Sequence, residues 1–333
     1  MSFQLVKHLA YFIFPLQLLF ASYPYFRRSS SPILLVLDWD GTLTRRDTLH
    51  IVAAIGYDHN RDLNLTPWDE IVQAYISDYV DYEAHYKPAA KDRKTIAEES
   101  EWLASLKDVE RRSLERVEEA GIFTGVTKQE VSSASKSAIH HKTVQLRHGW
   151  RELLSIACET DKRMPEVPPV SIISVNWSST FIRACLETTL AETPTHKSMM
   201  DSIPIFANEI YPDSEDALNI RTSADKLAAF QKLRGTDNRP IVYVGDSSTD
   251  FDCLIAADVG ICVRDDPMGS GQKELKETLE RVGLEVLRLS PAAWVKHGEG
   301  TRDEGDGQSP ESKKKVWWVT DLMEAVRFIE GGQ

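Results

Sequence analysis

Residues 34–44 read Leu-Leu-Val-Leu-Asp-Trp-Asp-Gly-Thr-Leu-Thr, an apolar run that ends in two carboxylates one residue apart. Four consecutive apolar residues without polar alternation predict a strand buried on both faces, as strands of parallel sheets are. Asp38 and Asp40 then leave its C-terminal edge, which is where open α/β sheets bind ligands. That placement commits the chain to a layered α/β fold with its chemistry at one sheet edge.

Two acids so close repel one another, and keeping both ionised at neutral pH calls for a cation between them or a proton on one. A hard divalent ion with oxygen ligands, magnesium above all, would supply the cation. Gly41 permits a sharp turn after the strand, and Thr42 and Thr44 add hydroxyls that can bond phosphate or cap the next segment.

A second apolar strand, Ile241-Val-Tyr-Val, ends in Gly245 and Asp246, with Asp250 four residues later. A helix capped by Ser247 or Ser248 and burying Phe251, Leu254 and Ile255 puts Asp250 in its first turn, facing back toward Asp246. A third strand, Val170–Val175, delivers Ser174 just before Asn176, Trp177 and an amphipathic helix. A hydroxyl and free amides, including that of Val175, at a helix start make a receptor for a phosphoryl oxygen. Lys226 falls in the first turns of another helix, against the dipole preference for acids there, so a carboxylate or phosphate partner is expected.

The set Asp-x-Asp-Gly-Thr-x-Thr, strand-Ser, helical Lys and Gly-Asp-x-x-x-Asp, in that order from residue 34 to about 263, resembles the haloacid dehalogenase superfamily. Asp-Gly-Thr-Leu-Thr-Arg-Arg-Asp-Thr-Leu, Leu146-Arg-His-Gly-Trp-Arg-Glu-Leu-Leu and Pro204-Ile-Phe-Ala-Asn-Glu-Ile are similar to segments of its phosphoserine-phosphatase-like branch. The Ser-Val-Asn-Trp-Ser-Ser stretch is similar to that of fungal members related to a yeast cold-tolerance protein. The resemblance implies a Rossmann-like parallel sheet flanked by helices, with an inserted all-helical cap. It implies Asp38 as nucleophile, Asp40 as general acid and base, and magnesium held by Asp38, the Asp40 backbone carbonyl and Asp246. Thr42, Ser174, the Val175 amide and Lys226 would hold phosphoryl oxygens, and Asp250 would support Lys226 or metal-bound water. Asp40 and Asp246 together favour attack on phosphorus over attack on carbon.

The expected organisation is an N-terminal apolar extension over 1–31, an α/β core formed by 32–47 and 146–333, and a helical cap over 48–145. Thr66-Pro67 opens one cap helix with Ile71, Val72, Tyr75, Ile76, Tyr79 and Val80 on one side. Others are expected near 91–107 and 109–120, and Thr127-Lys-Gln-Glu130 is a capping box for a fourth. Arg45, Arg46, Asp47 and His50, with Asn176 and Trp177 facing them, are the candidates for contacting the leaving group; the cap tyrosines read as core. Residues 298–315, rich in Gly, Ser and charge, predict a mobile loop within the core.

Composition narrows the function. A net charge of -12 argues against nucleic acid, which needs clustered Lys and Arg. The four cysteines show no Cys-x-x-Cys pair, so buried thiols in a reducing compartment are expected, although an even number also permits two bridges. Leu9–Phe20 is apolar but interrupted by Pro15 and Gln17, short for a membrane span, and followed by a poor cleavage site. A cytoplasmic protein is expected, with a secreted or membrane-anchored one as the alternative. The leading function is a magnesium-dependent phosphatase acting on a small phosphorylated metabolite; a phosphotransferase, a phosphonate-cleaving enzyme and an inactive binding protein of the same fold are the competing readings. The oligomeric state is not legible.

Overall fold

A computed structural model describes residues 33–160, 169–190, 203–210, 220–235, 239–289 and 314–331. The expectations for residues 1–31 and the Cys158 side chain lie outside the described residues, as does nearly all of 298–315, although Lys315 already opens a strand. Cys185, Cys253 and Cys262 are free and buried.

Seven strands form one sheet: β1 (Leu34–Leu37), β2 (Val170–Ile173), β3 (Ile205–Phe206), β4 (Ile241–Gly245), β5 (Val259–Val263), β6 (Glu285–Arg288) and β7 (Lys315–Val319). Their order is β3-β2-β1-β4-β5-β7-β6, and every pairing is parallel. The strand order reverses about β1, which pairs with β2 on one side and β4 on the other. That reversal opens a crevice at the carboxyl ends of the strands. The register pairs Leu37 with Ile172 and with Val244, so Asp38, Ser174 and Asp246 all emerge at that edge.

Alternate strand residues feed two cores, as the period of two requires. Leu35, Leu37, Ile172, Val242 and Val244 pack on one face with Leu153, Phe181 and Val326. Leu34, Val36, Ile173, Ile241 and Tyr243 pack on the other with Phe230, Phe251 and Leu279. Helices α6 (Trp150–Thr160), α7 (Ser179–Leu190), α8 (Ser223–Arg234), α9 (Phe251–Ala256), α10 (Ser270–Arg281) and α11 (Leu322–Gly331) supply these layers.

Between β1 and β2 lie α1 (Leu49–His59), α2 (Trp68–His85), α3 (Ile96–Ser105), α4 (Lys107–Glu119) and α5 (Lys128–His140). Capping boxes at Thr95–Glu98 and Thr127–Glu130 start α3 and α5. These helices straddle the sheet. Val126, Val131 and Ala138 join the first core, while Trp102, Leu103 and Val109 join the second.

The expected inward stripe of α2 needs correction. Ile71, Tyr75, Tyr79 and Tyr82 pack inward, but Ile76 and Val80 are 44% and 54% exposed. Each follows an inward residue by one position, about 100° round the helix, and the stripe is too narrow to hold both. The centre of this packing is Trp102, stacked on Tyr82 at 5.8 Å, met edge-on by Tyr79 and Tyr86, and covered by the Arg93 guanidinium at 4.6 Å. Arg93 and Arg281 both bind Glu99 in a buried triad that ties α3 to α10. No helix among the described residues is long and apolar enough to cross a membrane.

Candidate active site

The turn after β1 sets the site. Gly41 has φ +72°, and a Cβ there would lie 2.2 Å from an Asp246 carboxylate oxygen, so only glycine lets the β1 turn approach the end of β4. Arg147 pins the turn: its guanidinium donates to the carbonyls of Gly41 at 2.7 Å and Thr42 at 3.2 Å, and to Asp265 at 2.6 Å.

At the edge, Asp38, Asp246 and Asp250 each offer an oxygen within 4.8 Å of the others. Lys226, fully buried, donates to Asp38 Oδ1 at 2.8 Å and to Asp250 Oδ1 at 2.7 Å. The Tyr243 hydroxyl donates to the same Asp250 oxygen at 2.7 Å, and Oδ2 of Asp250 accepts from the amides of Asp246 and Ser247. Asp250 is therefore consumed in holding Lys226 and closing the turn after β4. Asp246 accepts from the Thr42 hydroxyl at 3.1 Å, with Gln272 Nε2 at 3.5 Å.

The electrostatics follow. Burial raises the Asp38 carboxyl well above its ordinary range, and Asp250 raises it further despite the opposing Lys226. Burial, followed by Asp250, lifts Asp246 from 3.8 to about 7. Burial works against a charge on Lys226, but Asp250 and Asp38 outweigh it and hold the lysine above its ordinary value. Three acids around one lysine leave an excess of negative charge, the condition that draws a cation.

Do these residues fit a metal? The donor set is all oxygen, and a hard divalent ion with ligands at about 2.1–2.5 Å spans about 4–5 Å between opposite donors, the scale of this cluster. With Asp250 occupied, Asp38 and Asp246 would be its side-chain ligands.

Asp40 points elsewhere. Its Oδ1 accepts from the amide and hydroxyl of Thr48 at 2.7 and 2.6 Å, and Oδ2 accepts from Asn176 Nδ2 at 2.8 Å. Burial, with Asp47 adding to it, raises its carboxyl from 3.8 to about 6 although these donors pull the other way. Both carboxylate oxygens are thus taken up by Thr48 and Asn176, away from the Asp38–Asp246 cluster.

The remaining candidates separate. Ser174 is buried and its Oγ accepts from the Asn176 amide at 3.0 Å. Val175 is half-buried beside it. Arg45, Arg46, Asp47 and His50 are exposed and line a polar cleft of about 940 Å³ that also reaches Asp246 and Gln272. Asn176 is not in that cleft; it is 1% exposed and bound to Asp40 and Thr48. Trp177 lies against Trp68 and Phe123 and lines a different pocket, of about 290 Å³. The six do not form one face. Tyr75 lines that second pocket too, so one cap tyrosine expected in the core is a pocket wall.

Sequence reasoning missed Tyr243, Thr48, Arg147 and Gln272. A tyrosine hydroxyl in an otherwise apolar buried strand was a readable signal for the first; the others act across 8, 105 and 26 positions, which no local pattern reports.

The sheet reversal at β1 brings residues of all four motifs to one edge. The arrangement resembles the haloacid dehalogenase fold. The chain is 26% identical over 249 residues to a CTO1 family protein of Schizosaccharomyces pombe, covering 70% of this chain and 82% of that protein. It is 23% identical over 241 residues to the mitochondrial Bifunctional TH2 protein of Arabidopsis thaliana, covering 69% of this chain and 35% of that much longer protein. Among solved structures, a substrate-bound phosphoserine phosphatase matches at TM-score 0.40 and 13% identity, over 74% of this chain and 90% of that one. A phosphoserine phosphohydrolase-like protein from Francisella tularensis matches at TM-score 0.39 and 16% identity, over 69% and 87%. No family model matches the chain. The buried Asp38–Lys226–Asp250 chain with Asp246 alongside is the candidate site.

Proposed function

We propose that the protein is a magnesium-dependent phosphatase of small-molecule phosphomonoesters, working through an aspartyl phosphate on Asp38, with residues 48–145 as its cap. The observation that supports this most is the division of labour between two acids two residues apart. Asp38 is bonded to a buried lysine and keeps Oδ2 for attack, while Asp40, raised to about 6, is held by Thr48 and Asn176 as a proton carrier.

In this reading Asp38 attacks phosphorus and the ester oxygen leaves with the proton of Asp40. Ionised Asp40 then takes a proton from the water that hydrolyses the acyl phosphate. Lys226 neutralises Asp38 and the entering phosphoryl oxygens, positioned by Asp250 and Tyr243. A magnesium ion held by Asp38, Asp246 and the Asp40 carbonyl would offset phosphate charge during the transfer. The Ser174–Asn176 segment supplies donors for a further oxygen.

The test is phosphate release from a panel of phosphomonoesters with magnesium and with EDTA, alongside Asp38→Asn and inhibition by beryllofluoride. Metal-dependent release that beryllofluoride blocks and Asp38→Asn abolishes is expected. Release at the wild-type rate by Asp38→Asn would overturn the mechanism.

A further inference from the structure

The proposal above leaves the leaving group open, and the pocket of about 290 Å³ names its class. Leu49, Trp68, Ile71, Val72, Leu114 and Trp177 line it, giving it aliphatic and aromatic walls. It adjoins the chemistry through chain neighbours. Leu49 follows Thr48, and Trp177 and Val175 flank Asn176, and both Thr48 and Asn176 hold Asp40, the proton donor to the departing oxygen. Thr249, also in the lining, sits between Asp246 and Asp250. The chamber thus lies one residue along the chain from Thr48 and Asn176, the two groups that hold Asp40, while none of the four site acids lines it.

Glu110 is the charged residue in the lining contributed by α2 and α4, where Ser113 and the Tyr75 hydroxyl are also polar; Arg221 and Asn208 line the pocket from other segments. Glu110 lines the pocket, and its Oε1 accepts from the Tyr75 hydroxyl at 2.7 Å. Oε2 accepts no hydrogen bond among the described residues, and the Arg221 charge in the same lining acts on the carboxyl electrostatically. A half-buried carboxylate oxygen facing an apolar chamber gains most from a ligand that brings its own donor.

We infer that this pocket receives the leaving group, and that the substrate is the phosphate ester of a flat, apolar alcohol carrying one hydrogen-bond donor for Glu110. The inference rests on the phosphatase reading for its chemistry and on the pocket for its selectivity. The polar cleft beside Asp246, lined by charges of both signs, is the competing seat and would favour small polar esters. Rate and binding together tell the two apart.

Three esters test it: 4-aminobenzyl phosphate, benzyl phosphate and glycerol 3-phosphate. The wild type should prefer benzyl over glycerol phosphate by at least about tenfold in kcat/KM, with aminobenzyl phosphate better again. Val72→Trp, which fills the chamber, should bring the benzyl-to-glycerol ratio close to unity. Glu110→Leu should remove the margin of aminobenzyl over benzyl. Binding of the same esters to Asp38→Asn, followed by calorimetry, repeats the comparison without turnover and without altering the pocket. Equal or stronger binding of glycerol 3-phosphate overturns the inference even if every ester is hydrolysed. Preferential binding of the aromatic esters with no turnover by the wild type supports the pocket and overturns the phosphatase reading instead.

Discussion

At the residue scale, the site is a place where stability is given up for chemistry. Asp38 shares a buried corner with Asp246 and Asp250 and is raised by burial and by Asp250, so its ionised form is held against local repulsion. Asp38→Asn removes one of three mutually repelling acids while Lys226 keeps Asp250. It is therefore expected to melt higher than the wild type in the absence of divalent ions, by calorimetry, while losing turnover; a lower melting temperature would contradict the electrostatic account. Asp40→Asn keeps the shape of the side chain that Thr48 and Asn176 hold, so substrate affinity should survive while kcat falls by about 10²–10⁴. Single-turnover kinetics with a poor leaving group measures this, and an unchanged kcat would remove Asp40 from the proton path. Asp38, Asp246, Asp250 and Lys226 were legible because each is a polar side chain where a strand or helix end leaves no apolar partner. Asn176 was read as a substrate contact because its real partners, Asp40 and Thr48, are brought to it only by the β1–β2 pairing.

At the scale of elements, the apolar strands at 34–37, 170–173, 241–245 and 259–263 were readable because burial on both faces removes all alternation. β3 has two residues, both half-buried, and no pattern of that length is distinctive. The helices between β1 and β2 were readable from caps and periodicity, but not their attachment. Three contacts bind α3 to the core side: the Arg93–Glu99–Arg281 triad, the packing of Trp102, and a hydrogen bond from Ser100 to Asp252. Glu99 is 3% exposed, and replacing it with Gln leaves two guanidinium groups without their counter-charge. Glu99→Gln should cost about 3–5 kcal/mol in urea unfolding. Glu115→Gln, which breaks the exposed Arg111–Glu115 pair, should cost less than about 1 kcal/mol. Equal effects would show that α3 is not anchored by this triad.

At the scale of the whole molecule, the acids of the site couple folding to pH and to metal. Asp246 and Asp40 are raised from 3.8 to about 7 and about 6, so the folded protein holds protons that the unfolded chain has already released. Their contribution to stability is complete below about pH 4 and is lost as the pH rises through 6 and 7, the opposite of a salt-bridged surface acid. In EDTA the melting temperature should therefore fall between about pH 5 and pH 8. A divalent ion binds the ionised form, so added magnesium should raise the melting temperature little at pH 5 and increasingly toward pH 8. A net charge of -12 adds self-repulsion with the same sign, but that part is exposed and is screened by salt, whereas the buried cluster is not. Repeating the series in 0.5 M sodium chloride, roughly, separates them: the screened remainder belongs to the site and should shrink in Asp246→Asn. A magnesium effect of equal size at every pH, or one untouched by Asp246→Asn, would mean that the ion is bound elsewhere and that the acids at the sheet edge are not its ligands.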